Sequence, residues 1–238
     1  HYNNTWNRNE PAATLRLWER PLDLSFVITR LLADPVWGPR IDPRRIGAAG
    51  HSSGGYSVLA LAGARFDPER MQRYCAGPAR GPDCTRVAGV RPDPADAPVA
   101  RRSYHDPRVR AVLAMAPAVG PGVVPESLRD VSVPVLLVAT ADDPILLPEQ
   151  HVRRYASALP DAGLLLLPQG GHFAFMPEVT FTGRIMTALF DGDVAGRSIP
   201  VDRGDLHREI VQRANAFLAR SLAAAPVARG EPTGDSAP

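Results

Sequence analysis

Apolar residues recur at helical spacing from Leu15 to Leu32, at Leu15, Trp18 and Leu22 and then Leu24, Val27, Ile28 and Leu31. Pro21 interrupts the pattern, so the main helix is expected to start near it. After the turn-rich stretch "DPVWGPRIDP", four short runs are almost continuously apolar: Ile46–Ala49, Val109–Met115, Val133–Ala139 and Leu164–Leu167. Such runs are the mark of parallel strands covered on both faces. Helical stretches lie between and after them, at about Ser53–Ala64, Pro148–Leu159 and Leu206–Leu222. Strands alternating with helices predict an α/β fold, a doubly wound and mostly parallel sheet.

Two segments fall outside this rhythm. Residues 66–107 form an insert rich in Pro, Gly and Arg, and the tail 225–238, "APVARGEPTGDSAP" from Ala225, lacks apolar periodicity. The chain therefore reads as one domain over 1–224, with the tail expected to be disordered. No internal repeat is visible. No run approaches 18 consecutive apolar residues, so no transmembrane segment is expected. The net charge is only +2, and without a basic stripe nucleic acid is a poor candidate partner. The sequence starts at His1 with no charged-then-apolar leader, which reads as a processed product or an excerpt.

The two cysteines, Cys75 and Cys84, sit nine apart inside the insert. A redox or metal role would want C-x-x-C spacing or a histidine companion, and neither is present. The other reading is a structural disulfide closing a short loop, worth about 2–3 kcal/mol in the chain-entropy model. Such a bridge favours a periplasmic or secreted location, with the cytoplasm left open.

Candidate chemistry begins at "GAAGHSSGGYS". Gly50-His51-Ser52-Ser53-Gly54 is a G-x-S-x-G pattern, which arises by chance in roughly one chain of this length in ten. Its context adds weight: a predicted strand runs in and a predicted helix runs out, as a nucleophile elbow requires. The sharp turn needs small residues two places before and two after the nucleophile. Gly50 and Gly54 stand so to Ser52, whereas Ser53 would have His51 in that place. Ser52 is the candidate nucleophile, and the Ser53 backbone N–H is then a candidate oxyanion donor. A glycine-rich turn cradling phosphate is the competing reading, but G-x-x-x-x-G-K-[ST] and G-x-G-x-x-G are both absent. No cofactor is implied.

A serine hydroxyl needs a base, and the base needs an orienting carboxylate. "VPVLLVATADDPILLP" is a predicted strand followed by Asp142 and Asp143, and "LLLLPQGGHF" is the next strand followed by His172. The order Ser, Asp, His, each after its own strand, is the order of this chemistry on an open α/β sheet. His51 is expected to pack inside the elbow, and His105, His151 and His207 to be solvated or hydrogen-bonded. No histidine pair has metal-ligand spacing, so no metal is expected.

Together these residues resemble the α/β-hydrolase family, and within it bacterial predicted dienelactone hydrolases adjoining the platelet-activating-factor acetylhydrolase and polyester-hydrolase groups. The resemblance runs from about Trp18 to Leu222 through "WERPLDLSFVITRLLAD", "RIDPRRIGAAGHSSGGYSVLALAGA", "DPRVRAVLAMAPAVGPG", "VPVLLVATADDPILLPEQ" and "LLPQGGHFAFM". In such relatives the loop after the third of these strands reads like G-E-x-D-x-I-V-P. Matching Ile145 selects Asp143 as the acid, with Asp142 as the fallback and Thr140 in place of the glycine. Relatives often carry further cysteines at the places of Val179 and Phe190.

The resemblance implies a serine hydrolase cleaving carboxylic esters, small-molecule, lipid-like, lactone or polyester, through an acyl-enzyme on Ser52. It also implies about eight strands, of which the four here match the last four. The N-terminal strands and the loop giving a second oxyanion donor are therefore expected to be lacking. Either a complementary chain supplies them or the polypeptide is longer, and a non-catalytic subunit acting in assembly is the alternative function. The insert is expected to begin far from Ser52. "APAVGPGVVPES" is a candidate pocket wall, and Phe173, Phe175 and Met176 are candidates for an acyl pocket or for ordinary core.

Overall fold

The four apolar runs form one sheet, and the strands are β1 (Ile46–His51), β2 (Val109–Met115), β3 (Val135–Thr140) and β4 (Ala162–Leu167). All pair in parallel, in the order β1-β2-β3-β4. This computed structural model describes residues 1, 11–87, 89–90, 93–177, 180, 182 and 202–223. The tail 225–238 and the positions Val179 and Phe190 lie outside the described residues.

The helices are α1 (Glu19–Ala33), α2 (Ser53–Leu61), α3 (Pro68–Ala76), α4 (Ala97–Ala100), α5 (Pro125–Arg129), α6 (Val152–Ala158) and α7 (Arg203–Ser221). Each strand is followed by its neighbour in space, and right-handed crossovers that always step the same way put their helices on one face. That face carries the larger core, where Tyr56 and Leu59 of α2 and Tyr155 of α6 meet Val112 and Val135 of the sheet. Leu206, Ile210 and Ala214 of α7 cover the other face, against Leu113 and Val138. The inward and outward residues alternate along β2 as the pleat demands. The sheet is doubly wound.

Several boundaries differ from those expected, each for a local reason. α1 begins at Glu19, because Pro21 falls within its first turn, where a missing N–H costs nothing. β3 begins after Pro134, which has no N–H to give the ladder. α2 stops at Leu61, and Gly63 at φ 118 turns the chain back. The insert is folded: Asp67 caps α3 by accepting from the Glu69 N–H, with Pro68 in the first turn. Its start lies along the loop after β2, with the Asp67 N–H donating to Gly122 O and the Val124 N–H to Arg65 O.

One polar cluster ties α1 to the sheet. Buried Asp106 accepts from Ser25 Oγ at 2.6 Å and from Arg108 Nε at 2.8 Å and Nη2 at 2.5 Å. Its own N–H donates to Leu61 O at the end of α2. The Arg108 hydrogen bonds outweigh the cost of burial and hold the carboxyl well below the usual carboxylate range. Asp106→Asn removes the charge but not the shape, and is expected to cost about 2 kcal/mol. Urea denaturation of the two proteins at neutral pH measures this, and an unchanged midpoint would contradict it.

Candidate active site

The carboxyl ends of the four strands converge on one edge, where open α/β sheets place their ligands. β1 delivers Ser52 there in a conformation that only a few L-residues adopt, with φ 57 and ψ −119. The Ser52 N–H donates to Met115 O at 2.9 Å, and Ser52 O accepts from the Ala118 N–H at 3.0 Å. The turn is thereby stitched to the end of β2. A Cβ on Gly50 would lie 2.2 Å from Gly54 O, and one on Gly55 would lie 2.9 Å from the Pro117 Cα. A Cβ on Gly54 would meet nothing within 4 Å. The expected pair was Gly50 and Gly54; the crowded pair is Gly50 and Gly55, because the helix leaves Gly54 facing open space and presses Gly55 on the loop after β2.

The structure brings Ser52, His172 and Asp143 into one hydrogen-bonded line. Asp143 follows β3, and its Oδ1 accepts from the N–H groups of Ile145 at 2.9 Å and Leu146 at 2.8 Å. Its Oδ2 lies 2.8 Å from His172 Nδ1. With Nδ1–H donating to the carboxylate, Nε2 is left as an acceptor, and Ser52 Oγ sits 3.0 Å from it. Asp143 is 3% exposed and His172 4%, so their interaction is shielded from bulk water. Ser53 opens α2, where first-turn N–H groups have no helical acceptor.

The fallback acid, Asp142, does a different job. Its two oxygens accept from Gly170 N–H at 3.0 Å and Gly171 N–H at 2.9 Å. Both glycines have positive φ, 141 and 64, so Asp142 clamps the turn that aims His172. Burial acts against its charge, but these donors prevail and hold its carboxyl below the usual range.

His51 packs against the site, as expected inside an elbow. Its ring lies 4.8 Å from that of His172, and its Nε2–H donates to His172 O at 2.9 Å. Burial first and the neighbouring His172 second push its pKa down, so it adds no positive charge beside the base.

A cavity of about 240 Å³ opens at Ser52 and His172. Phe173 and Met176 line it, while Phe175 does not; a 3-10 turn over His172–Phe175 points Phe175 instead at the His51 ring, 5.3 Å away. Ala118 and Val119 supply the wall expected from the loop after β2. Two other contributors were not foreseen. Leu15, the first residue of the apolar helical pattern, and Leu17 reach it from just before α1, and Met71, Asp83 and Val87 come from the insert. The insert was expected to start far from Ser52, but the reversal at Gly63 returns it to this edge. Cys75 and Cys84 are joined, with Cα atoms 5.4 Å apart, which ties α3 to the 3-10 turn Pro82–Arg86 that carries Asp83. His151 is buried beside Asp83, and His207 Nε2–H donates to Ala174 O at 2.7 Å. Among the described residues no group of three or more His, Cys, Asp or Glu could hold a metal ion, and no helix is long and apolar enough to cross a membrane.

A family model described as "Alpha/beta hydrolase family" matches residues 12–180. A search of curated proteins by sequence gave no match. Among solved structures, acylaminoacyl peptidase of Pyrococcus horikoshii superposes with a TM-score of 0.42 at 14% identity, over 70% of this chain and 26% of that one. The chain thus spans about a quarter of that protein's length.

Gly50→Ala is expected to cost about 3 kcal/mol, since its new methyl meets backbone that cannot move aside. Gly54→Ala is expected to be neutral or to gain up to about 1 kcal/mol from helix propensity. Thermal unfolding of both variants checks the contrast, and equal losses would contradict it. Asp142 has a lowered native pKa, so its charge stabilises the fold above the ordinary carboxylate pKa of about 4 and the benefit fades as pH falls through the native value. The Tm gap between wild type and Asp142→Asn is therefore expected to be open at neutral pH and to close in acid below about pH 4. A gap that widens in acid would contradict the clamp.

Proposed function

The chain belongs to the alpha/beta hydrolase family, and on that premise we propose that it cleaves carboxylic esters through an acyl-enzyme on Ser52. One observation carries the proposal: the line Asp143 Oδ2, His172 Nδ1 and Nε2, Ser52 Oγ, with contacts of 2.8 and 3.0 Å. His172 takes the Ser52 proton as Oγ attacks the ester carbonyl, and Asp143 holds the ring's tautomer and stabilises the imidazolium. The Ser53 N–H faces the developing oxyanion, a kind of contact worth on the order of 3 kcal/mol of barrier. His172 then gives its proton to the departing alcohol, and a water it activates releases the acid.

Within the family, the group of dienelactone hydrolases and platelet-activating-factor acetylhydrolase-like enzymes is the subgroup we favour. Short esters or lactones suit the cavity better than long lipids or polyesters, because about 240 Å³ is below the roughly 300–1,000 Å³ of drug-sized pockets. The Cys75–Cys84 bridge supports a periplasmic or secreted location.

A second reading, a non-catalytic subunit working in assembly with a complementary chain, is favoured by one surface. Leu22, Phe26 and Val27 on α1, and Trp37 after it, are exposed, and among the described residues the outer edge of β1 has no strand partner. An open apolar edge of this kind invites pairing. Gel filtration with intact-mass analysis tests it: the assembly reading expects a second chain, and an active monomer of 25.6 kDa would remove it.

A series of p-nitrophenyl esters graded by acyl length tests the ester proposal. Short acyl groups are expected to be preferred, with Ser52→Ala and His172→Ala each lowering kcat by on the order of a thousandfold or more. Hydrolysis undiminished in Ser52→Ala would overturn it.

A further inference from the structure

The cavity beside Ser52 holds one charged side chain that the proposed chemistry does not use. Asp83 is 5% exposed, and its neighbour His151 is 1% exposed. His151 Nδ1 accepts from the Gly120 N–H at 3.3 Å, which leaves the ring proton on Nε2, 3.4 Å from Asp83 Oδ2. That distance and direction fall short of a hydrogen bond, and both atoms are buried without a hydrogen-bond partner among the described residues. Among the described residues Asp83 Oδ1 has a long contact, 3.4 Å, from the Tyr74 hydroxyl. The Asp83 carboxyl group is therefore buried and weakly partnered.

Burying such a group costs several kcal/mol unless something compensates it, yet the surroundings are shaped to keep it there. The Cys75–Cys84 bridge fixes the residue next to Asp83. At Gly81 a Cβ would lie 2.6 Å from both Asp83 Oδ1 and the Tyr74 hydroxyl, and at Gly120 it would lie 2.8 Å from the His151 Cα. Only glycine lets these backbones come so close to the pair. The cavity wall that Asp83 joins is otherwise apolar at Leu15, Leu17, Met71, Val87 and Leu146, and no Arg lines it among the described residues. In such a setting a weakly partnered carboxylate attracts a cation more strongly than it would in water.

We propose that Asp83, positioned by His151, binds a protonated amine of the substrate, so that the site takes short esters bearing an ammonium group. This rests on the ester-hydrolase reading for its catalytic half only; the cation site stands on the cavity itself. A substrate amine at this wall would give the Asp83 carboxyl a cationic partner, while its apolar arms meet Met71 and Val87.

The test compares 2-(dimethylamino)ethyl acetate, protonated near neutral pH, with its neutral isostere 3-methylbutyl acetate. Hydrolysis is followed by pH-stat, and binding to the Ser52→Ala protein by calorimetry. The cationic ester is expected to have a KM, and in Ser52→Ala a Kd, about 10- to 100-fold lower than its isostere. Asp83→Asn is expected to erase that ratio by raising the KM and Kd of the cationic ester, and Asp83→Glu to restore part of it. Equal affinity for the two esters in wild type, or an Asp83→Asn variant with lowered Tm that weakens both equally, overturns the proposal and leaves the pair a structural prop. If neither ester is hydrolysed but the cationic one binds in an Asp83-dependent way, the cation site holds and the ester reading fails.

Discussion

The turn at Ser52 holds a side-chain-bearing residue at φ 57, a conformation that costs about 1–3 kcal/mol and persists only when its surroundings over-determine it. Its N–H and carbonyl are both spoken for by the end of β2 and the residues just after it. Gly50 sits against the Gly54 carbonyl, and Gly55 against Pro117. The loop that receives this pressure is itself strained, with Ala116 at φ 39 and Val119 at φ 55. Among the described residues these are the non-glycine positions with positive φ, and all three lie at the carboxyl edge of the sheet. The strain is thus concentrated where a hydroxyl must be held out from the end of a strand. The large core behind α2, built on Tyr56, Leu59 and Leu61, keeps the turn from relaxing.

The adjacent acids after β3 show how the same constraint propagates. Asp143 uses one oxygen to fix itself to the backbone at Ile145 and Leu146 and the other to orient His172. Asp142 never meets the histidine ring; it holds the Gly170–Gly171 turn from which His172 projects. One acid orients the side chain and the other orients its backbone. Matching Ile145 singled out Asp143 in the sequence, whereas the role of Asp142 depends on a turn from β4 folding back beneath it, which no spacing along the chain records.

What was legible followed from local patterns. Continuous apolar runs marked all four strands within a few residues, and the order of Ser52, Asp143 and His172 after successive strands marked the edge where they meet. Long-range placement was less visible. The insert's return to the cavity is set by Gly63, by its pairing with the loop at Gly122 and by the Cys75–Cys84 bridge, so Met71, Asp83 and Val87 carried no signal beyond Asp83 standing next to a cysteine. Phe173 and Phe175 are chemically alike and two apart; only the 3-10 geometry sends one to the cavity and the other to His51. Leu15, at the end of the 3-10 turn Pro11–Leu15, and Leu17 are buried; the apolar pattern that begins at Leu15 marked a helix and carried no sign of a cavity wall.

A fluorophosphonate probe, read by intact mass and peptide mapping, tests the central claim most directly, since it reports an activated serine without assuming a substrate. Wild type is expected to gain one adduct, on Ser52. Asp143→Asn is expected to label more slowly by on the order of a thousandfold, and Asp142→Asn to stay much nearer to wild type. Absence of an adduct on Ser52, or labelling that ignores Asp143, would contradict the claim that the hydrogen-bonded line from Asp143 to Ser52 is the working part of this protein.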